Sequence, residues 1–297
     1  MIFGKGSFNS FYTSGEIKKY CNIKEFDKVY NSLQKAKSIF LESNFKFTSG
    51  TSYNMFIPIA YYYYYLDDSI AYNDRDIKYE IAKFYETVSI SGYLSGSSDG
   101  TLMNLRKALS NETDGNCIKL FTDKKFNFKK LQNKLNKTHT DKEKRLEVTK
   151  TMINNIVKYS YEKDKDKIGV ILSLLKKDKA MSLIDENDID HIHPKYLLTE
   201  KEYKKASKKF NINEYRYFKS TCHLLPNLQL LNKNENRTQK NKTQFYEWLK
   251  PKKEKYYNDN LIKYRKPIDY YNIDNYKTFY KDREKMIKQE LLKIIGS

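Results

Sequence analysis

The stretch Asp188–Pro194 constrains the fold most, and it carries two of the four histidines of the chain. A short apolar run that ends at Ile189 predicts an extended segment, and Pro194 lacks the amide hydrogen needed to continue a strand. Because neighbouring side chains of a strand point to opposite faces, Asp190 and His191 would project to different sides. The stretch therefore predicts a strand that delivers a carboxylate and an imidazole together at its end.

A second apolar stretch follows after a gap that contains a Lys-rich helix, predicted over Thr199–Phe210. Asn227 opens the run Leu228–Leu231, which has the length and composition of a short strand. After it we predict a helix that is capped by Asn234 and carries Asn236 in its first turns. The predicted order is strand, loop, strand and helix.

These residues together form a recognisable pattern. Asp190-His191-Ile192-x-Pro194, then Asn227-Leu228-x-Leu230-Leu231, then Asn236 resembles the HNH nuclease motif, which lies on a ββα-metal fold. The pattern is closest to the HNH domain of GmrSD-like restriction endonucleases and is also similar to that of RNA-guided CRISPR nucleases. The resemblance is densest over residues 183–250, and a Gly/Ser-rich segment at 89–100 extends it to about residues 25–250.

The resemblance implies hydrolysis of phosphodiester bonds and a role for each matched residue. His191 would be the general base that activates water, so activity is expected to fall below roughly pH 6.5, the usual imidazole pKa. Asp190 and Asn236 would bind one Mg²⁺ or Mn²⁺ ion. Asn227 would be the middle Asn of the catalytic motif, which pins the loop between the strands, and Asn241 would have a supporting role.

The other histidines have open assignments. His193 stands where family members often carry an apolar residue, so it either supports the site from behind or faces the phosphate. His223 either contacts phosphate or is a loop histidine with its hydrogen bonds satisfied. His139 lies in a polar run and is predicted to be a solvated surface residue.

The charge of the chain favours a polyanionic partner. Lys and Arg number 56 and Asp and Glu number 37, so the net charge is +19. The positive electrostatic field of such a chain favours binding to DNA. However, Lys, Asn, Tyr and Ile are all abundant, and an AT-rich genome would produce this bias in any protein. The side chains that we predict to position phosphate are Lys204, Lys205, Lys208, Lys209, Lys240 and Lys242.

The apolar spacing in the first half of the chain indicates helices. We therefore predict a mainly α fold, with a helical domain at 1–178, the HNH unit at 179–252 and a helical extension at 253–297 that packs back on the body. Tyr61–Tyr65 cover every side of a predicted helix, which favours core packing over a stacking platform for bases.

Several classes of protein are disfavoured by the sequence. The three cysteines are far apart and form no Cys-x-x-Cys pair, so neither a disulfide framework nor a zinc ribbon is expected. The run Met55–Leu66 contains Pro58 and five tyrosines, and it is too short to cross a bilayer. No secretory signal is evident at the N-terminus. We predict a soluble cytoplasmic protein.

The family resemblance also suggests a biological role, the destruction of foreign DNA such as phage or modified DNA. GmrSD-like proteins usually carry a nucleotide-hydrolysing domain upstream. Here either a separate regulatory subunit would supply it, or the chain is a stand-alone or partial nuclease half. Two rival functions remain open. One is a non-catalytic basic subunit that binds nucleic acid or a partner, and the other is an RNA-directed nuclease or toxin.

Overall fold

A computed structural model describes residues 23–42, 53–66, 74–94, 99–110, 125–138, 145–176, 187–240, 243–264 and 266–296. The described residues form two compact units, of which the first ends at Val148 and the second begins at Thr149. Helices dominate both units and only one two-stranded sheet is described, so the predicted mainly α fold class is confirmed. None of the described helices is long and apolar enough to cross a membrane.

The first unit is built from helices. They are α1 Ile23–Glu42, α2 Phe56–Tyr65, α3 Arg75–Ser91, α4 Asp99–Ser110 and α5 Phe128–Thr138. In α2 the side chains of Tyr61, Tyr62 and Tyr63 are at most 4% exposed, and the Tyr62 hydroxyl accepts a hydrogen bond from the Phe126 amide. This burial confirms core packing for these tyrosines and leaves no face of their rings for a base.

The second unit contains the sheet and the remaining helices. They are α6 Lys150–Ile156, α7 Lys165–Leu175, β1 Asn187–His191, α8 Glu200–Ala206, α9 Ile212–Thr221, β2 Leu228–Asn232, α10 Phe245–Leu249, α11 Glu254–Asp259 and α12 Tyr276–Gly296. A π-helical segment, Glu235–Lys240, lies between β2 and α10. Helix α7 packs on β2 and on α12, so the second unit begins earlier than the boundary predicted at residue 178.

The sheet is an antiparallel pair of five-residue strands. Its register sets Asp190 opposite Gln229 and His191 opposite Leu228. Asn232 at the end of β2 accepts hydrogen bonds from the amides of Asn234 and Glu235, at 2.9 and 3.4 Å. The helical segment is therefore capped by Asn232, and the predicted cap at Asn234 is corrected by two residues.

The C-terminal helix α12 supports the turn that leads into β2. Arg283 of α12 is 3% exposed and donates hydrogen bonds to the carbonyl oxygens of Pro226, Asn260 and Leu225, at 2.7, 3.0 and 3.4 Å. Burial lowers the pKa of its guanidinium to about 9, which still leaves the group charged at neutral pH. The far end of the described chain thus fixes the turn Leu225–Asn227.

Candidate functional site

Asp190 and His191 lie at the end of β1 and project to opposite sides, as the alternation of a strand requires. The Asp190 carboxylate faces the π-helical segment, where it meets Lys240. The His191 ring lies on the other side, 5.0 Å from the ring centroids of Tyr161 and His223. The two groups that the sequence places side by side therefore belong to two different surroundings.

A hydrogen-bonded chain holds the Asp190 carboxylate from behind. Gln229, its partner across the sheet, donates from Nε2 to Asp190 Oδ2 at 2.9 Å. The hydroxyl of Tyr256 donates to Gln229 Oε1 at 2.7 Å, and the indole of Trp248 donates to that hydroxyl at 3.1 Å. Because every link is buried or nearly so, the carboxylate is fixed in orientation.

The ammonium of Lys240 is the charged partner of Asp190. Its Nζ lies 2.5 Å from Asp190 Oδ2 and also donates to the carbonyl oxygen of His191. Only 1% of the Lys240 side chain is exposed, and burial lowers its pKa while Asp190 opposes that shift. The sequence pattern predicts Lys240 as a phosphate contact. The structure corrects this assignment, because a side chain that is only 1% exposed cannot contact the phosphate backbone of DNA.

Asn236 lies on the same side of β1 but meets a different acid. Its Nδ2 donates to Asp188 Oδ2 at 3.4 Å, and Arg237 Nε lies 3.9 Å from the same oxygen. Asp188 and Asp190 share one face of β1, because they are two residues apart in a strand. The structure thus brings Asn236 and Asp190 to one face, each with its own partner.

The donor set can be tested against a divalent ion of the Mg²⁺ type. Such ions prefer carboxylate and amide oxygens, which Asp190 and Asn236 supply. A cation already lies against Asp190, the ammonium of Lys240, so the position accepts positive charge. Among the described residues no cluster of three or more His, Cys, Asp or Glu side chains could hold a metal. The pair Asp190 and Asn236 is the ligand set that the resemblance implies.

The His191 imidazole is buried and neutral. It is 7% exposed, and burial lowers its pKa to about 3, with further lowering by the neighbouring charges of His223, Lys240 and Lys195. A general base must be unprotonated, and His191 meets that condition throughout the neutral range. The activity loss expected below pH 6.5 from ionisation of His191 therefore moves to much lower pH.

His223 connects His191 to the surface. His223 Nδ1 lies 2.9 Å from His191 Nε2, while His223 Nε2 lies 3.7 Å from a carboxylate oxygen of Glu162. The His223 side chain is 25% exposed and that of Glu162 is 68% exposed. Of the two predicted alternatives for His223, the geometry favours a histidine with hydrogen-bond partners, and its main partner is the imidazole of His191.

Asn227 is fully buried and holds the loop between the strands. Its Oδ1 accepts from the His193 amide at 3.0 Å, and its Nδ2 donates to the carbonyls of Cys222 and His193 at 2.8 and 3.1 Å. These bonds are of the kind that the resemblance implies for the middle Asn. With no exposed surface, Asn227 acts by positioning the loop and touches no substrate.

The His193 side chain is buried among aromatic side chains. It is 1% exposed, and its ring centroid lies 5.0 to 5.1 Å from those of Phe245, Tyr276 and Phe279. Its Nε2 has no hydrogen-bond partner among the described residues. The side chain therefore packs in the core behind the site, and the phosphate-facing alternative does not fit its position.

We expect His193 to make the second unit sensitive to acid. Burial lowers its pKa to about 3, whereas an unfolded histidine titrates near 6.5. Below pH 6.5 the unfolded chain takes up a proton that the folded chain refuses, so stability falls as the pH falls. From pH 7 to pH 5 this one residue should cost about 2 kcal/mol of the free energy of unfolding. Urea unfolding at both pH values measures it.

The variant His193→Phe should lose that part of the pH dependence, because phenylalanine fits the aromatic surroundings and does not titrate. The fluorescence of Trp248, the single tryptophan of the chain, reports on the second unit alone. The matched control is Phe279→Leu, which disturbs the same cluster and should lower stability equally at pH 7 and pH 5. An unchanged pH dependence in His193→Phe contradicts the assignment.

Four of the remaining predicted phosphate contacts, Lys204, Lys205, Lys208 and Lys209, are exposed. Three of these lysines pair with acids: Lys204 with Glu200 at 2.6 Å, Lys205 with Glu202 at 2.8 Å and Lys208 with Asp269 at 3.2 Å. Exposed pairs contribute only about 0–1 kcal/mol, so a phosphate can take these ammonium groups at little cost. Lys242, Asn241 and His139 lie outside the described residues.

Sequence reasoning missed the groups that hold the site together. Gln229 could have been found, because strand alternation and the register set it beside Asp190. Lys240 follows Asn236 by four residues, a spacing that places both on one side of a helical segment. Tyr256 and Arg283 lie in no sequence motif that would have pointed to the site.

A comparison with models of known protein families gives no match, and neither does a comparison with curated proteins.

Proposed function

We propose that the chain is an endonuclease of the HNH type that hydrolyses phosphodiester bonds in DNA. One observation carries the proposal. The neutral imidazole of His191 and the carboxylate of Asp190 lie next to each other in sequence at the end of an antiparallel strand pair. The helical segment beside them carries Asn236. The resemblance to the HNH pattern gives each of these residues its role.

In this proposal His191 takes a proton from the attacking water. Its Nε2 faces His223 Nδ1, so the nitrogen that accepts the proton would be Nδ1. That assignment requires His191 Nε2–H to donate to His223, which then carries its own hydrogen on Nε2, toward Glu162. His223 is accordingly a positioning residue, because it selects the tautomer of His191.

Asp190 and Asn236 would hold the divalent ion, Mg²⁺ or Mn²⁺. When bound, that ion would supply Lewis acidity that stabilises charge on the scissile phosphate and the leaving oxygen. Gln229 keeps the Asp190 carboxylate oriented for this role. The exposed lysines of α8 and the net charge of +19 would hold the phosphate backbone.

The proposed biological role is the destruction of foreign DNA, either together with a separate nucleotide-hydrolysing subunit or as a stand-alone nuclease. The direct test incubates the full chain with supercoiled plasmid DNA and, in parallel, with structured RNA. We expect nicking of the plasmid with Mg²⁺ or Mn²⁺ and none with a chelator. A His191→Ala preparation made in the same way controls for contaminating nucleases.

The result separates the proposal from its rivals. Cleavage of RNA in preference to DNA would favour the RNA-directed nuclease. If neither substrate is cleaved but both are bound, the chain is a basic nucleic-acid-binding subunit and the nuclease proposal fails.

A further inference from the structure

The buried ammonium of Lys240 occupies the place where the proposed function requires a metal ion. Lys240 lies at the end of the segment Glu235–Lys240, one turn after Asn236. Its Nζ contacts two oxygens, Oδ2 of Asp190 and the carbonyl oxygen of His191. These two oxygen atoms form part of a site for a cation, and in this structure the cation is the ammonium group of Lys240.

Electrostatics prevents the ammonium and a divalent ion from sharing this position. Both would contact the same carboxylate, and two cations a few ångström apart repel each other strongly in surroundings with little water. Without the ammonium, the Asp190 carboxylate, whose side chain is only 12% exposed, would lack a counter-ion, which is costly. The single negative charge of this carboxylate is balanced by the ammonium, so a divalent ion that binds there meets an unbalanced positive charge.

We propose that Lys240 is the resident counter-ion of Asp190 and competes with a divalent cation for that carboxylate. The identification of Asp190 as a metal ligand rests on the proposed function, but the competition can be measured without cleavage. The flexible four-carbon stem of lysine lets the ammonium withdraw when a divalent ion binds. Gln229 donates to Asp190 in either state and keeps the carboxylate in place.

The test measures binding of Mn²⁺ alone to the full chain, from the electron paramagnetic resonance signal of the free ion. Lys240→Met removes the charged terminal nitrogen and keeps an unbranched side chain that is one atom shorter. We expect this variant to bind one Mn²⁺ about tenfold more tightly than the parent, or tighter still, because the competing charge is gone. Adding Asp190→Asn to Lys240→Met should abolish the gain. Lys219→Met, the matched control, removes an exposed charge from α9 in the same unit and should bind like the parent.

Equal affinity in Lys240→Met and the parent overturns the proposal, as does a gain that survives Asp190→Asn. A second measurement uses the parent alone, in case Lys240→Met fails to fold. An amine-acylating reagent should modify Lys240 far more slowly than Lys209 without Mn²⁺, and about tenfold faster once Mn²⁺ is added, because displacement exposes the amine. A rate at Lys240 that Mn²⁺ leaves unchanged also overturns it.

The two proposals fail separately. Tighter Mn²⁺ binding in Lys240→Met with no cleavage of nucleic acid by any variant supports the competition and rejects the nuclease function. Cleavage by the parent with no change in Mn²⁺ affinity on loss of Lys240 rejects the competition and leaves the nuclease function standing.

Discussion

Replacing His191 with alanine is expected to slow plasmid nicking by about 10²–10⁴-fold, the usual contribution of a positioned general base. The imidazole is already neutral at working pH, because burial lowers its pKa to about 3. The loss should therefore appear at every pH from 6 to 8 and should not be recovered by raising the pH. The measurement is the initial rate at which supercoiled plasmid becomes open circular.

The matched control for this experiment is His193→Phe at pH 7. Both residues are buried histidines of one short stretch, but the His193 ring packs among Phe245, Tyr276 and Phe279 and faces no substrate. We expect the control to nick plasmid at nearly the parental rate. If His191→Ala cuts as fast as the parent, the chemistry does not occur at this site.

Replacing Asn227 with alanine should destabilise the second unit by about 3–5 kcal/mol. The side chain is fully buried, and its removal leaves the amide and carbonyl of His193 and the carbonyl of Cys222 without their partner. Each buried polar group that loses its partner costs about 1–3 kcal/mol. Urea unfolding followed by the fluorescence of Trp248 measures the change, since that tryptophan is buried in the same unit.

A comparison with Asn213→Ala separates this effect from a general cost of losing an asparagine. Asn213 is exposed in the first turn of α9, where a substitution should change stability by no more than about 0.5 kcal/mol. If Asn227→Ala is equally mild, the loop is held by other contacts and Asn227 is not its anchor.

The features that sequence predicted well arise from local rules. Strand alternation placed Asp190 and His191 on opposite sides, and the helical pattern around Tyr61–Tyr63 indicated a core. The cap at Asn232 was missed because several polar residues follow β2 closely. Asn232, Asn234 and Asn236 are all able to cap, and only the backbone hydrogen bonds decide between them.

The surroundings of the site could not be predicted, because they depend on contacts between distant parts of the chain. A lysine is usually exposed, so nothing local indicated that Lys240 would be buried against Asp190. His191 pairs with His223 and Gln229 pairs with Tyr256, and these partners are 32 and 27 residues apart. Burial among distant parts of the chain lowers the pKa of His191 far below its usual value, and His223 lowers it further. The pH dependence expected from the usual imidazole pKa is therefore revised.

The contact between Arg283 and the turn before β2 has a consequence for biosynthesis. The carbonyl oxygens of Pro226 and Leu225 accept hydrogen bonds from Arg283, which is synthesised 57 residues after Pro226 and 58 residues after Leu225. A ribosome that has made both strands has therefore not yet made the residue that fixes the turn between them. The turn acquires its final hydrogen bonds only after Arg283 has left the exit tunnel, so β1 and β2 are completed as a unit late in synthesis.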